Sequence, residues 1–188
     1  DEIHEDFVFK GKHQVFANIK KEYEEITVTC TAPSKTFNIA SLMISNILIP
    51  NPELKRKFKH QMDAAGISQL NVLGLVACEA AYDHGEEWYQ AMKAYVKENI
   101  EFVKQYVEEQ LSGVNMVEHE GTYLVWLDFR GTGLRVEELD DKIINQAKLW
   151  LDSGKIFGSC GEGFQRINVA CPQKVLEEAM DRIKNVVG

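Results

Sequence analysis

Proline is scarce in this chain, four in 188 residues, and so is cysteine, also four. Cys30, Cys78, Cys160 and Cys171 form no CxxC pair and no zinc-finger spacing, which excludes a dithiol redox motif and a cysteine-built metal site. Two of them lie in apolar, strand-like runs, so the chain reads as a cytoplasmic protein with reduced, mostly buried thiols. Basic charge is short as well: 21 Lys and Arg stand against 29 Asp and Glu, a formal charge of −8. That sign repels phosphate and argues against nucleic acid as a partner. No apolar run is long enough to cross a bilayer, and the opening Asp1-Glu2-Ile3-His4 does not read as a secretion signal. No methionine precedes Asp1, and the first residues read as a strand end entering a loop, as expected of a piece of a longer chain. Internal repeats and low-complexity stretches are lacking too.

What is present is enough to fold. The chain is 45% hydrophobic and 27% charged, the balance of a globular protein of one domain or two small ones. Residues 5–20 read as a loop with a short helix or turn. Strands are predicted over 26–31 and over 41–49, the second closed by Pro50 and Pro52. A polar helix spans 52–62 and breaks at Asp63-Ala64-Ala65-Gly66. Ser68 is placed to cap a helix through Ala81 that is apolar nearly all round and should therefore be buried. A long helix over 86–111 follows Gly85. Trp88, Met92, Tyr95, Phe102 and Tyr106 recur along it at threes and fours, beside Val96, Ile100, Val103 and Val107, one broad face that reads as core. Such a helix can tie two lobes together, and Ser112-Gly113 ends it. Beyond it come strands over 116–119 and 122–129, an amphipathic helix over 135–148, an irregular or strand segment at 149–151, an alternating strand over 164–170 and a helix from Pro172 to Val187.

Three places carry chemistry. The first is Asp1-Glu2-Ile3-His4-Glu5-Asp6, which by itself reads as a solvated loop or a metal site, the loop being the simpler reading. The second is Lys35, within Thr31-Ala32-Pro33-Ser34-Lys35-Thr36-Phe37-Asn38-Ile39-Ala40. A lysine at the end of a buried strand is paired, deprotonated or covalently used, because burying a lone ammonium is costly. A neutral amine is what Schiff-base chemistry with an aldehyde cofactor requires. A surface lysine at a strand corner is the plainer alternative. The third is the glycine-rich run Gly158-Ser159-Cys160-Gly161-Glu162-Gly163 leading into Phe164-Gln165-Arg166-Ile167-Asn168. An arginine among apolar strand residues needs an anion, and its planar fork suits a carboxylate. That anion is either a ligand or an internal partner such as Glu162.

These motifs, with Asn71-Val72-Leu73-Gly74-Leu75-Val76-Ala77, Gly121-Thr122-Tyr123-Leu124-Val125-Trp126-Leu127 and Val169-Ala170-Cys171-Pro172, run in one order along nearly the whole chain. Together they resemble the fold-type I pyridoxal-phosphate enzymes, the aspartate aminotransferase superfamily. The likeness is closest to the cystathionine β-lyase and C–S lyase branch, which is grouped with the class I and II aminotransferases. The resemblance implies an α/β fold: the C-terminal segment of the PLP-binding, transferase-like large domain over 1–85, a connecting helix over 86–112 and a small α+β domain over 113–188. It implies that Lys35 binds pyridoxal 5'-phosphate and moves the substrate Cα proton, and that Asp1 pairs with the pyridinium nitrogen. It also implies that Arg166 clamps the substrate α-carboxylate, that Ser34 contacts the cofactor phosphate and that His4 lies near the ring oxygen. The arginine that aminotransferases carry eight residues after the lysine is replaced by Met43, so phosphate binding must differ from theirs. Family chains are about twice as long, and their N-terminal half supplies the phosphate-binding turn and the residue stacked on the ring. By the resemblance, then, this is a C-terminal half, inactive alone and a homodimer when full length. It would act on a small amino-acid substrate as a C–S β-lyase, or as an aminotransferase. A non-catalytic interaction module is the alternative of another class.

Overall fold

The computed structural model describes residues 1–67 and 69–187. The chain divides into two compact units, Asp1–Ala91 and Met92–Gly188. The predicted cap at Ser68 lies outside the described residues.

The first unit is built from short elements. A single turn of 3-10 helix at Phe16–Asn18 and a two-turn one at Lys21–Ile26 precede strand β1, Thr29–Thr31. Strand β2, Asn46–Leu48, pairs with β1 antiparallel, with Cys30 opposite Ile47. Both predicted strands are therefore shorter than expected. Lys21–Ile26 winds as helix, and Ala40–Leu42 makes a 3-10 turn that ends on Met43 in the left-handed region, φ 50°. In a two-stranded ribbon each strand has one neighbour, so pairing stops where no backbone lies opposite.

Helix α1, Pro52–Ala64, starts with proline in its first turn and with Asn51 accepting from the Glu53 and Leu54 N–H groups at 2.8 and 3.2 Å. These bonds satisfy two of the orphan donors at the helix start. Helix α2, Val72–His84, is capped by Asn71, whose side chain accepts from Gly74 N–H at 2.6 Å and donates to the Leu42 carbonyl at 2.8 Å. The expectation that this helix is buried fails. Only Gly74 is buried, while Val72 and Leu73 are 70% and 72% exposed. An apolar surface records a tendency to be covered, and among the described residues nothing covers this one.

Helix α3, Glu86–Gln110, runs through the boundary between the units. Its buried side chains are Val96, Asn99, Ile100, Val103 and Val107. The aromatics expected in the core lie at its margins instead, with Trp88 and Tyr95 exposed and Phe102 and Tyr106 half-buried. The tyrosine hydroxyls explain this placement. The Tyr95 hydroxyl accepts from Gln173 N–H at 2.8 Å, and Tyr106 donates to Asp181 at 2.5 Å, so each ring packs while its oxygen stays at a polar rim.

The second unit is a four-stranded antiparallel sheet with helices on one face. Its strands are β3 (Asn115–Met116), β4 (Leu124–Asp128), β5 (Asp152–Ser153) and β6 (Phe164–Asn168), in the order β3-β4-β6-β5. The strand expected at 149–151 falls at Asp152–Ser153, where β6 offers a free edge. Helix α4, Val136–Asp141, passes into a π-helical turn, Lys142–Gln146, and α5 spans Gln173–Val187. Alternation sets the two faces of the sheet. Val125 and Leu127 of β4 and Gln165 and Ile167 of β6 are buried, whereas Trp126, Phe164 and Arg166 stand half-exposed on the other side. Leu139, Ile143, Leu176, Met180 and Ile183 complete the core. Asn99, the one polar side chain of α3 in this core, donates to the carbonyls of Val169 and Cys171 at 2.8 and 2.9 Å.

Candidate active site

Lys35 follows β1 in a tight turn. Phe37 N–H donates to the Pro33 carbonyl at 2.9 Å and Ile39 N–H to that of Ser34 at 3.0 Å, with Asn38 taking the left-handed conformation, φ 54°. Ser34 and Thr36 are buried and Lys35 between them is exposed, so the predicted burial of the lysine is not found. A turn this tight points alternate side chains inward and outward, and the flanking hydroxyl residues take the inner positions.

The turn is held from two sides. Phe37 stacks on Trp88 with ring centroids 5.6 Å apart, and its ring fills the space beside Gly85, where a Cβ would come within 2.3 Å of it. The segment 1–7 lies along the same stretch. Glu2 N–H donates to the Cys30 carbonyl at 2.8 Å, and Thr36 donates to the Asp6 carboxylate at 2.6 Å. Tyr89 donates to the Asp6 carbonyl at 2.8 Å, and Phe7 is fully buried. Asp1, His4, Ser34 and Lys35 are thus brought onto one substructure, pinned at Cys30 and at Thr36. Asp1 is exposed, and its carboxylate accepts from Ile3 N–H at 3.2 Å. Burial raises the Glu5 carboxyl above its usual range, the Asp6 charge adds to this, and His13 opposes it.

Arg166 belongs to the other unit. Its internal partner is Asp152 rather than Glu162, because β5 pairs with β6 in a register that sets Asp152 directly opposite Arg166. The guanidinium donates from Nε and Nη2 to one oxygen, Asp152 Oδ2, at 3.1 and 2.7 Å. Its Cζ lies 4.6 Å from the centroid of the Phe157 ring. Phe157 meets Trp126 edge-on at 5.0 Å, and Trp126 is the neighbour of Arg166 on β4. Burial raises the Tyr123 hydroxyl above its ordinary pKa, and the Arg166 charge works against the shift.

Asp140 organises the loop beside this arginine. Its carboxylate accepts from Lys155 at 2.6 Å, from Gln165 at 2.8 Å and from Ser153 at 3.3 Å. Burial pushes its pKa up, but these three bonds outweigh that and hold it below the usual range. Asp140, Asp152 and Phe157 were not singled out from the sequence. The alternation of β6 located Arg166, but it carries no information about which residues a neighbouring strand sets opposite. The four cysteines are free, and none is fully buried; Cys160 is exposed, against the expectation of buried thiols.

Residues 1–183 match the family model described as aminotransferase class I and II, so the chain belongs to that family. It is 38% identical over 185 residues to the cystathionine β-lyase PatB of Bacillus subtilis, covering 98% of this chain and 48% of the relative. With the cystathionine β-lyase of Corynebacterium glutamicum it shares 35% identity over 193 residues, 100% of this chain and 50% of that one. Among solved structures it is similar to cystalysin from Treponema denticola, which contains a pyridoxal 5'-phosphate cofactor. The TM-score is 0.94 at 37% identity, over 99% of this chain and 48% of that one. The chain spans about half the length of the curated relatives it matches. Its fold is the α/β fold of the PLP-dependent aminotransferase type, mixed helix and sheet throughout. Among the described residues, no helix is long and apolar enough to cross a membrane.

Proposed function

We propose that the full-length protein is a pyridoxal-phosphate-dependent C–S β-lyase acting on cystathionine or a related cysteine conjugate. The observation that carries this reading is the Lys35 turn: a primary amine presented outward between two buried hydroxyl residues, on a loop clamped by Phe37 and by segment 1–7. The donor set fits the cofactor. Lys35 offers an amine for its aldehyde, Asp1 a carboxylate for its ring nitrogen and Ser34 a hydroxyl for its phosphate, with His4 on the same segment as Asp1. When bound, pyridoxal phosphate supplies an electron-withdrawing ring that stabilises negative charge at the substrate Cα.

The residues of the chain do the rest. The Asp1 carboxylate would favour a proton on the ring nitrogen by charge and hydrogen bonding. The Lys35 amine takes the Cα proton as general base. Arg166 grips the α-carboxylate and so fixes the direction of the Cα–H bond. With the α-proton gone, the Cβ–S bond breaks with its electron pair on sulfur, the thiolate takes up a proton such as the one held by Lys35, and water hydrolyses the remaining three-carbon enamine to pyruvate and ammonia. In this reading the chain is the C-terminal half of the enzyme. Residues 1–85 come from the cofactor domain, 86–112 are the connecting helix and 113–188 the small domain. In the same reading the intact enzyme is a cytoplasmic homodimer.

Aminotransferase chemistry is the second reading, favoured by the family description itself, and it needs the same three residues. Incubating the full-length protein with cystathionine and assaying thiol and pyruvate, in parallel with keto-acid exchange, separates the two. Stoichiometric thiol and pyruvate support the lyase; amino-group exchange without thiol release overturns it. Binding to a protein partner that survives Lys35→Ala, with neither activity detectable, would instead favour an interaction module.

A further inference from the structure

Arg166 is restrained on more sides than an ion pair requires. Asp152 takes the edge formed by Nε and Nη2, with one oxygen receiving both bonds. Phe157 covers one face at 4.6 Å. Neither restraint is loose. Asp152 is fixed by the β5–β6 register. Phe157 ends the turn Gly154–Phe157, whose loop is pinched at its neck by Gly154 and Gly161. A Cβ on Gly154 would sit 1.9 Å from the Gly161 carbonyl oxygen, and one on Gly161 would sit 2.1 Å from that of Gly154. Ser153 and Lys155, at the loop's root, are tied to Asp140, which also holds the buried Gln165. Trp126 backs the Phe157 ring edge-on.

The pattern of donors decides what this arrangement does. A guanidinium has five N–H donors in a rigid fork. Asp152 uses the side edge, which leaves the outer edge, Nη1 with Nη2, able to receive a second carboxylate in parallel. A carboxylate that competed with substrate would lie on that outer edge. We propose that Asp152 and Phe157 are positioning residues that brace Arg166 by edge and by face, so that only its outer edge meets the substrate α-carboxylate. The inference rests on the reading of Arg166 as the carboxylate site. Asp152 also neutralises the guanidinium, so recognition relies on the direction of two hydrogen bonds rather than on net charge.

The test uses the full-length holoenzyme with cystathionine, and 3-phenylpropionate as a carboxylate without an amino group. Freeing a long side chain costs binding about as much as immobilising one. Asp152→Ala and Phe157→Ala should therefore each raise KM, and the inhibition constant of 3-phenylpropionate, about five- to tenfold. The loss should fall mainly on KM, with kcat less affected. Asp152→Asn keeps an acceptor on the same edge and should restore both constants to within about threefold of the parent. Phe157→Tyr keeps the ring and should do the same. A merely structural ion pair would lower the melting temperature without this split or this rescue. Should Asp152→Ala not fold, Asp152→Ser, too short to reach the guanidinium, carries the same expectation. Unchanged constants in the truncated variants overturn the brace, and tighter binding in Asp152→Ala would mean that Asp152 competes with substrate. Arg166→Ala separates the two levels. If it leaves both constants unchanged, the carboxylate reading of Arg166 fails; if it raises them while Asp152→Ala does not, the brace alone fails.

Discussion

The two units of this chain differ in what holds them. Among the described residues, five buried apolar side chains, Phe7, Ala17, Pro33, Ile44 and Ile49, lie in Asp1–Ala91, and seventeen lie in the remainder. The second unit is a conventional core, a sheet with one buried face and helices packed on it. The first relies on polar pins, including Thr36 on Asp6, Tyr89 on Asp6 and Asn71 on Leu42, and leaves much of α2 uncovered. Yet the unit with the sparse core carries the amine and the carboxylates. A turn can be placed accurately by a few directional bonds and one aromatic clamp, without much buried area. In the proposed reading the amine thus sits in the sparsely cored unit, and the arginine that would grip the substrate sits in the packed one.

Mutations can break or sharpen this contrast. The largest effect expected is that of Lys35→Ala in the full-length enzyme. Thiol release should fall by about a thousandfold or more, while the melting temperature of the isolated chain, in which this side chain is exposed, stays put. A parallel drop in melting temperature would show that the first unit's chemistry and fold are not separable. Next comes Leu127→Ala in the fully buried face of β4. It should destabilise the chain by about 2–5 kcal/mol in a urea titration, and a loss below about 1 kcal/mol would contradict a packed second unit. Gly154→Ala forces a methyl group against the Gly161 carbonyl and should cost about 1–3 kcal/mol in the same titration.

A smaller effect concerns Tyr106, which links α3 to α5. Burial, together with its bond to Asp181 and the charge of that carboxylate, pushes its pKa up to about 12. The folded form binds this proton more tightly than the unfolded chain does. The linked stability is therefore fully present below the unfolded value of about 10 and lost as pH rises through about 12. Tyr106→Phe should flatten the decline in melting temperature between those limits, and an unaltered slope would remove the linkage. The smallest effect is expected at Leu73, whose exposed side chain on α2 should cost less than about 0.5 kcal/mol when cut to alanine in the isolated chain. A larger loss would show that α2 is packed in solution.

Legibility followed the same division. Helix α3, strand β6 and helix α5 were readable because each carries a sustained period of apolar residues. Only the first half of 41–49 was misread, because a run of Leu, Met and Ile has no period that separates strand from turn, and Met43 takes a conformation rare for its type, while Asn46–Leu48 does form a strand. Helix α2 was read correctly as apolar and wrongly as covered, since composition records only the need for a partner surface. For the candidate site, Lys35 and Arg166 stood out by residue type and neighbours, whereas Asp1 and Ser34 were assigned only by the resemblance to the family. Asp152 and Phe157 did not, because their relation to Arg166 depends on the β5–β6 register and on a loop folding back. Both are pairings across sequence that no local pattern encodes.

The glycine neck bears on how this protein can vary over generations. With Gly154 and Gly161 backbone to backbone, a side chain at either position must push the opposite side of the neck away, and changing both at once does not relieve the collision. Of the six exposed residues between them, Lys155 is tied to Asp140, Phe157 lies against Arg166 and Gly158 takes φ 114°, which leaves Ile156, Ser159 and Cys160 as the positions open to change. A lineage can therefore remodel the rim of the arginine site by point changes at the tip, whereas its aperture stays the width of two peptide planes.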